Sequence, residues 1–106
     1  MELQKINNND IHLTLQFNGN LDADGTRNIQ PVIDDIIWAE PHREVELDFS
    51  DVRFMDSSGV GALVYLYKRL VEKKRNMRLE NVSGQPLEII HLLRISKTIA
   101  VNSRTH

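Results

Sequence analysis

Two adjacent hydroxyls, Ser57 and Ser58, sit between an acid and a glycine in the run Asp56-Ser57-Ser58-Gly59-Val60-Gly61. Behind them Val60, Leu63, Val64, Tyr67, Leu70 and Val71 recur at the spacing of one helix face. The hydroxyls therefore belong at a helix N-terminus. There the first N–H groups lack intrahelical partners and the macrodipole is positive, so a negative group is tolerated. Gly59 and Gly61 remove side-chain bulk and let another backbone come close. Three chemistries suit hydroxyls so placed: helix capping, nucleophilic attack and acceptance of a phosphoryl group.

Capping is the plainest of these, with Ser57 as the cap and Asp56 assisting. A nucleophile elbow fails, because Asp56 and Val60 occupy the two positions that G-x-S-x-G reserves for glycine. His12, His42, His91 and His106 are scattered and none is placed as a base for Ser58. The P-loop pattern is absent. No two histidines share ligand spacing, and Asp22, Asp24, Asp34 and Asp35 lie in or near a solvated helix face, so no metal is expected. The expectation is a protein that is not an enzyme and holds no cofactor.

Phosphorylation of Ser58 adds a charge of about −1.5 to −2. The helix end favours that charge by roughly 0.3–2 kcal/mol, and nearby Asp56 opposes it. These terms partly cancel, so the fold survives. The same charge against an unfavourable group of a partner costs several kcal/mol. A modification of this kind leaves the domain intact and breaks a complex.

The elements that position the serines follow from apolar spacing. Leu3 to Ile6 reads as a strand, Asn7-Asn8-Asn9-Asp10 as a turn, and Ile11, Leu13, Leu15 and Phe17 alternate as a second strand that completes a hairpin. Asn18-Gly19-Asn20 is expected to end it. Asp22 or Asp24 then caps a helix with Ile29, Val32, Ile33, Ile36 and Ile37 inward, which starts near Pro31 or bends there and closes at Pro41. Val45, Leu47 and Phe49 form a third strand, whose pairing is expected to end near Val52, Phe54 and Met55. The second helix carries Lys68, Arg69, Lys73, Lys74 and Arg75 towards its negative end and stops at Asn76. Met77, Leu79 and Val82 make a fourth strand. Ser83-Gly84 breaks it, Pro86 opens a third helix, and Thr98 to Val101 give a last short strand. Asn102 to His106 reads as a frayed tail. The order β-β-α-β-α-β-α-β implies an α/β domain. Its sheet is mixed, with four to five strands, an N-terminal hairpin and helices mainly on one face.

The length of 106 residues suits one domain spanning 1–106. A formal net charge of −2 implies no bulk attraction to nucleic acid or to a membrane surface. With no cysteine there is no disulfide or thiolate chemistry, which suits a cytoplasmic setting. No apolar stretch is long enough to insert into a membrane.

Taken together, these residues resemble the STAS domain, and within it the stand-alone bacterial anti-sigma-factor antagonists. Phe17-Asn18-Gly19-Asn20-Leu21-Asp22-Ala23 is similar to the family's G-x-L-D segment. Leu47-Asp48-Phe49-Ser50-Asp51-Val52, followed by Phe54-Met55-Asp56-Ser57-Ser58-Gly59-Val60-Gly61-Ala62-Leu63, is similar to its D-S-S-G-[LV]-G signature. Leu79 to Ser83 and Pro86 to Leu93 resemble its later strand and helix. The resemblance implies a partner-switching cycle in transcription control. The unphosphorylated antagonist binds a serine kinase that is also an anti-sigma factor. That kinase phosphorylates the second serine of the motif, here Ser58, and a separate serine phosphatase reverses it. Asp22 and Asp56 are implied to lie beside the serine and help position its loop, with Ser57 and Gly59 as supports. Val60 and Gly61 are expected partner contacts, and Leu63 is expected in the core. Arg27 and Arg53 are candidates to pair with a phosphate, with solvated charge as the alternative; Tyr65 and Lys68-Arg69 are placed on the outer helix face. Members commonly carry a further helix after the last strand, and none precedes His106 here. Related proteins regulate targets other than sigma factors, or serve as assembly subunits of transporters and sensory complexes, so that output remains the alternative.

Overall fold

A computed structural model describes residues 1–104. Its elements are β1 (Glu2–Asn7), β2 (His12–Leu21), α1 (Ala23–Trp38), β3 (Glu44–Met55), α2 (Ser57–Glu72), β4 (Asn76–Val82), α3 (Gly84–Leu92), a 3-10 turn (Ile95–Lys97) and β5 (Ala100–Ser103). The five strands form one sheet in the order β1-β2-β3-β4-β5. The hairpin pair is antiparallel, with Leu3 opposite Phe17, and every other pair is parallel. This is the mixed α/β sheet that the alternation of elements predicts.

Period-two alternation gives the sheet two different faces. Leu13, Leu15, Phe17, Val45, Leu47, Phe49, Met77 and Leu79 point to one side, where Ile29, Ile33, Ile36 and Ile37 of α1 and Leu63, Leu66 and Leu70 of α2 complete the core. Phe17 and Phe49 meet there with ring centroids 5.2 Å apart. On the other side Arg78 bridges Glu46 at 2.8 Å and Glu80 at 3.0 Å, and Asn81 donates to Asp48.

The structure corrects several boundaries. Asn18-Gly19-Asn20 does not end β2. Gly19 adopts φ +118°, a conformation open to glycine, and register shifts on either side of it let the strand bulge and continue until Leu21 pairs with Met55. Pairing of β3 likewise persists to Met55 on the β2 side, while its ladder with β4 stops at Asp48. Of the two expectations at Pro31, a helix start there is corrected: α1 begins at Ala23 and runs through Pro31. Pro31 is on the exposed face, so the Arg27 carbonyl it leaves without a donor is open to water. Asn76 is the first residue of β4, not a helix stop. Helix α2 ends earlier, at Lys73-Lys74-Arg75, where Lys74 takes φ 60° and the amides of Lys74 and Arg75 bond back to the carbonyls of Val71 and Leu70, each at 2.9 Å. This is a Schellman closure formed without glycine. Arg75 is not a surface charge. It is 5% exposed and donates to the carbonyls of His42, Ile36 and Ile37, so it closes the end of α1. The tail reading from Asn102 is also corrected. β5 runs to Ser103, and the Arg104 amide donates to Val82 at 2.9 Å. Thr105 and His106 lie outside the described residues.

Candidate functional site

The parallel strands β2 and β3 end on the same rung, Leu21 opposite Met55. Asp22 and Asp56 follow immediately, and each caps the helix that its strand feeds. Asp22 Oδ1 accepts the Gly25 amide at 2.8 Å. Asp56 Oδ1 accepts the amides of Ser58 at 2.9 Å and Gly59 at 3.2 Å. Carboxylates suit these positions because the first turn offers unpaired donors and a positive dipole end. The cap of α2 is therefore Asp56, and the expectation that Ser57 caps it is corrected: Ser57 is the first helical residue.

This leaves both hydroxyls free of capping work. Ser57 and Ser58 are exposed on the first turn of α2. Ser58 is oriented through its own backbone, since its amide is held by Asp56. Asp56 is fixed in turn by its amide, which donates to the Leu21 carbonyl at 3.2 Å. Gly59 is buried at the same spot. A Cβ placed on it would stand 2.3 Å from the Leu21 oxygen and 2.8 Å from Leu21 Cβ. Glycine is required there by the fold, because α2 begins in contact with the end of β2.

Val60 departs from expectation. It is 8% exposed and packs in the core, where the expectation had it at the surface. Helical geometry turns it inward with Leu63, as the sheet side of α2 demands. Gly61 is exposed, and a Cβ there would meet no atom within 4 Å. Arg27 pairs with Asp24 one turn along α1, and Arg53 is exposed on β3. His12 and His42 lie at the opposite end of the sheet, roughly 30 Å away along β2 at about 3.3 Å per residue. His91 is in the last turn of α3.

One positioning residue is invisible to sequence patterning. Gln85, at the start of α3, accepts the Met55 amide through Oε1 and donates to the Met55 carbonyl through Nε2, both at 2.8 Å. The amide side chain replaces the strand partner that Met55 lost when β4 diverged. It thereby fixes the residue immediately before Asp56. Nothing at Gly84-Gln85-Pro86 signals a contact with a strand 30 positions earlier.

The fold and its capped strand-to-helix junctions define a small α/β domain of one recognisable kind. The chain belongs to the STAS domain family, whose model matches residues 2–106. Among curated proteins no sequence match is found. Solved structures share its fold at low identity. An anti-sigma-factor antagonist (STAS) domain protein from Planctomyces limnophilus is 20% identical with a TM-score of 0.82, over 97% of this chain and 90% of that one. The Bacillus cell fate determinant SpoIIAA in its phosphorylated form is 20% identical with a TM-score of 0.73, over 94% and 90%. A sulfate transporter family protein from Wolinella succinogenes is 15% identical with a TM-score of 0.74, over 90% and 78%. Among the described residues, no helix is long and apolar enough to cross a membrane.

Proposed function

We propose that this STAS domain is a non-catalytic, cytoplasmic anti-sigma-factor antagonist that switches partners through Ser58. Unphosphorylated, it binds a serine kinase that doubles as the anti-sigma factor. Phosphorylated on Ser58, it is released, and a serine phosphatase returns it to the binding form. The observation that carries this reading is the exposed Ser58 hydroxyl on a helix start whose capping is done by Asp56. A serine with no capping duty can gain a phosphate without losing a structural bond. The Asp56 carboxylate at the same helix end limits how far the dipole stabilises the new charge, so the free-energy change concentrates in the complex. Asp22, Asp56, Ser57 and Gly59 shape the acceptor loop and do no chemistry. The likeness in fold to solved antagonists supports the same reading.

Incubation with the partner kinase and ATP, followed by phosphopeptide mapping, tests this directly. Label on Ser58 is expected; label confined to Ser57, or absent, contradicts it. A second reading, an assembly subunit of a transporter, is favoured by the shared fold of the sulfate transporter family protein. Recovery of membrane-transport subunits in place of a kinase and phosphatase would select it.

A further inference from the structure

The two outer strands of the sheet are protected unequally. In β1, Lys5 stands opposite Leu15, turns its charge to the helix side and bonds Asp35 and Glu40. A charge pointing inward from an edge strand opposes further pairing. β5 has no such guard. Ala100-Val101-Asn102-Ser103 carries no charge and no proline, and among the described residues no strand lies beyond it. The Arg104 amide turns towards β4, where it meets the Val82 carbonyl. Alternate residues of a paired strand direct their backbone groups to opposite sides, so the Ser103 amide faces outward.

This edge also has a seat for a side chain. β4 starts at Asn76, but β5 joins it only at Arg78, opposite Ala100. The step opens a cavity of about 340 Å³ walled by Tyr67, Val71, Met77, Thr98 and Ala100. Its polar rim is engaged within the domain. Arg78 is held by Glu46 and Glu80, and Glu44 accepts from the side-chain amide of Asn76 at 3.0 Å. What is left for an occupant is the apolar wall.

The surrounding charge selects that occupant. No Asp or Glu follows Glu88 in the sequence, while Arg94 and Lys97 precede β5 and Arg104 follows it, all three exposed. Leu92 and Leu93, 79% and 47% exposed, lead into the same segment. A second copy pairing edge to edge would bring these cations against their own counterparts. A segment bearing carboxylates is attracted by them.

We infer that the β5 edge accepts an extended acidic segment of another protein as an added strand, with one apolar side chain of that segment seated in the cavity. Main-chain bonds to β5 supply affinity, and the cavity and the cations supply the choice of sequence. The inference is independent of Ser58.

The test selects a display library of random short peptides on the folded domain and measures the selected peptides in solution. They are expected to be acidic with alternating apolar residues, and to slow hydrogen exchange at the Ser103 amide. Ser103→Pro removes the outward donor at a position where an edge strand tolerates proline, and is expected to weaken binding about tenfold. Lys97→Glu is expected to weaken it several-fold. Thermal melts run alongside; if Ser103→Pro melts below wild type, Lys97→Glu and the exchange rate at Ser103 decide. Failure to select any peptide, peptides without acidic residues, or unchanged affinity in both variants overturns the inference. Protection of the Ser103 amide by self-association of the domain alone overturns it in favour of a second copy.

Discussion

The Asp56 amide donates to the Leu21 carbonyl at 3.2 Å, and a Cβ on Gly59 would stand 2.3 Å from that same oxygen. The end of one strand thus sets the start of a helix that belongs to the next. This contact holds the acceptor serine in place, and its parts can be removed one at a time.

Gly59→Ala has nowhere to put its methyl group, because the obstructing atoms are backbone and Cβ of Leu21 and not the tip of a flexible side chain. Separation of α2 from β2 is expected to cost about 1–3 kcal/mol. Urea unfolding checks this: a midpoint equal to wild type would show that the junction is looser than described.

Asp56→Ala removes the acceptor for two first-turn amides and is expected to cost about 1 kcal/mol. Asp56→Asn keeps an oxygen acceptor and is expected to retain most of that stability. It also removes the negative charge nearest the acceptor, so the phosphorylated form of Asp56→Asn should melt higher, relative to its own unphosphorylated form, than wild type does. Calorimetry of the four species measures the difference.

Gln85→Ala strands the amide and carbonyl of Met55. Because both groups are left without a strand partner, the expected loss is about 1–3 kcal/mol. Hydrogen exchange at the Met55 amide should accelerate more than exchange at Leu47, which stays inside the ladder. Equal acceleration at both positions would assign the loss to global unfolding.

Acid should weaken the polar face of the sheet. Burial tends to raise the Asp48 pKa, but bonds donated by Asn81 and Ser50 and the positive charge of Arg104 outweigh it and hold the carboxyl below its ordinary value. A depressed folded pKa contributes stability that is fully present above the unfolded value, about 3.9, and is lost as pH falls through the folded value. Denaturation monitored between pH 6 and pH 2 is expected to show a shallower acid decline in Asp48→Asn than in wild type. Parallel curves would contradict the assignment.

Much of this architecture was legible in the apolar spacing. Alternation over Ile11–Phe17 and Val45–Phe49 marked the strands β2 and β3, and the polar-apolar switch at Asp56 marked the helix start. The extensions of β2 and β3 were not legible, since a bulge around Gly19 looks like a turn until a neighbouring strand is known to accompany it. Arg75 looked like one more cation at a helix end. Its burial depends on three carbonyls presented by α1 and by the segment before β3, which no local window contains. Val60 was misassigned to the surface. Its spacing with Leu63, Val64 and Tyr67 already put it on the apolar face of the helix, and with α2 begun at Ser57 that helical phase carries Val60 inward. The Gln85–Met55 pair leaves no trace in sequence because a single polar side chain replaces a whole strand there.

The central claim is that a negative charge on one exposed hydroxyl changes recognition and leaves the module folded. The most direct measurement is the affinity of the partner kinase for wild type, Ser58→Ala and Ser58→Asp, with melting curves on the same samples. Near-equal melting temperatures, binding retained by Ser58→Ala and binding weakened at least tenfold in Ser58→Asp are the predicted result. Equal affinity for all three proteins, or loss of binding only in company with loss of folding, would contradict it.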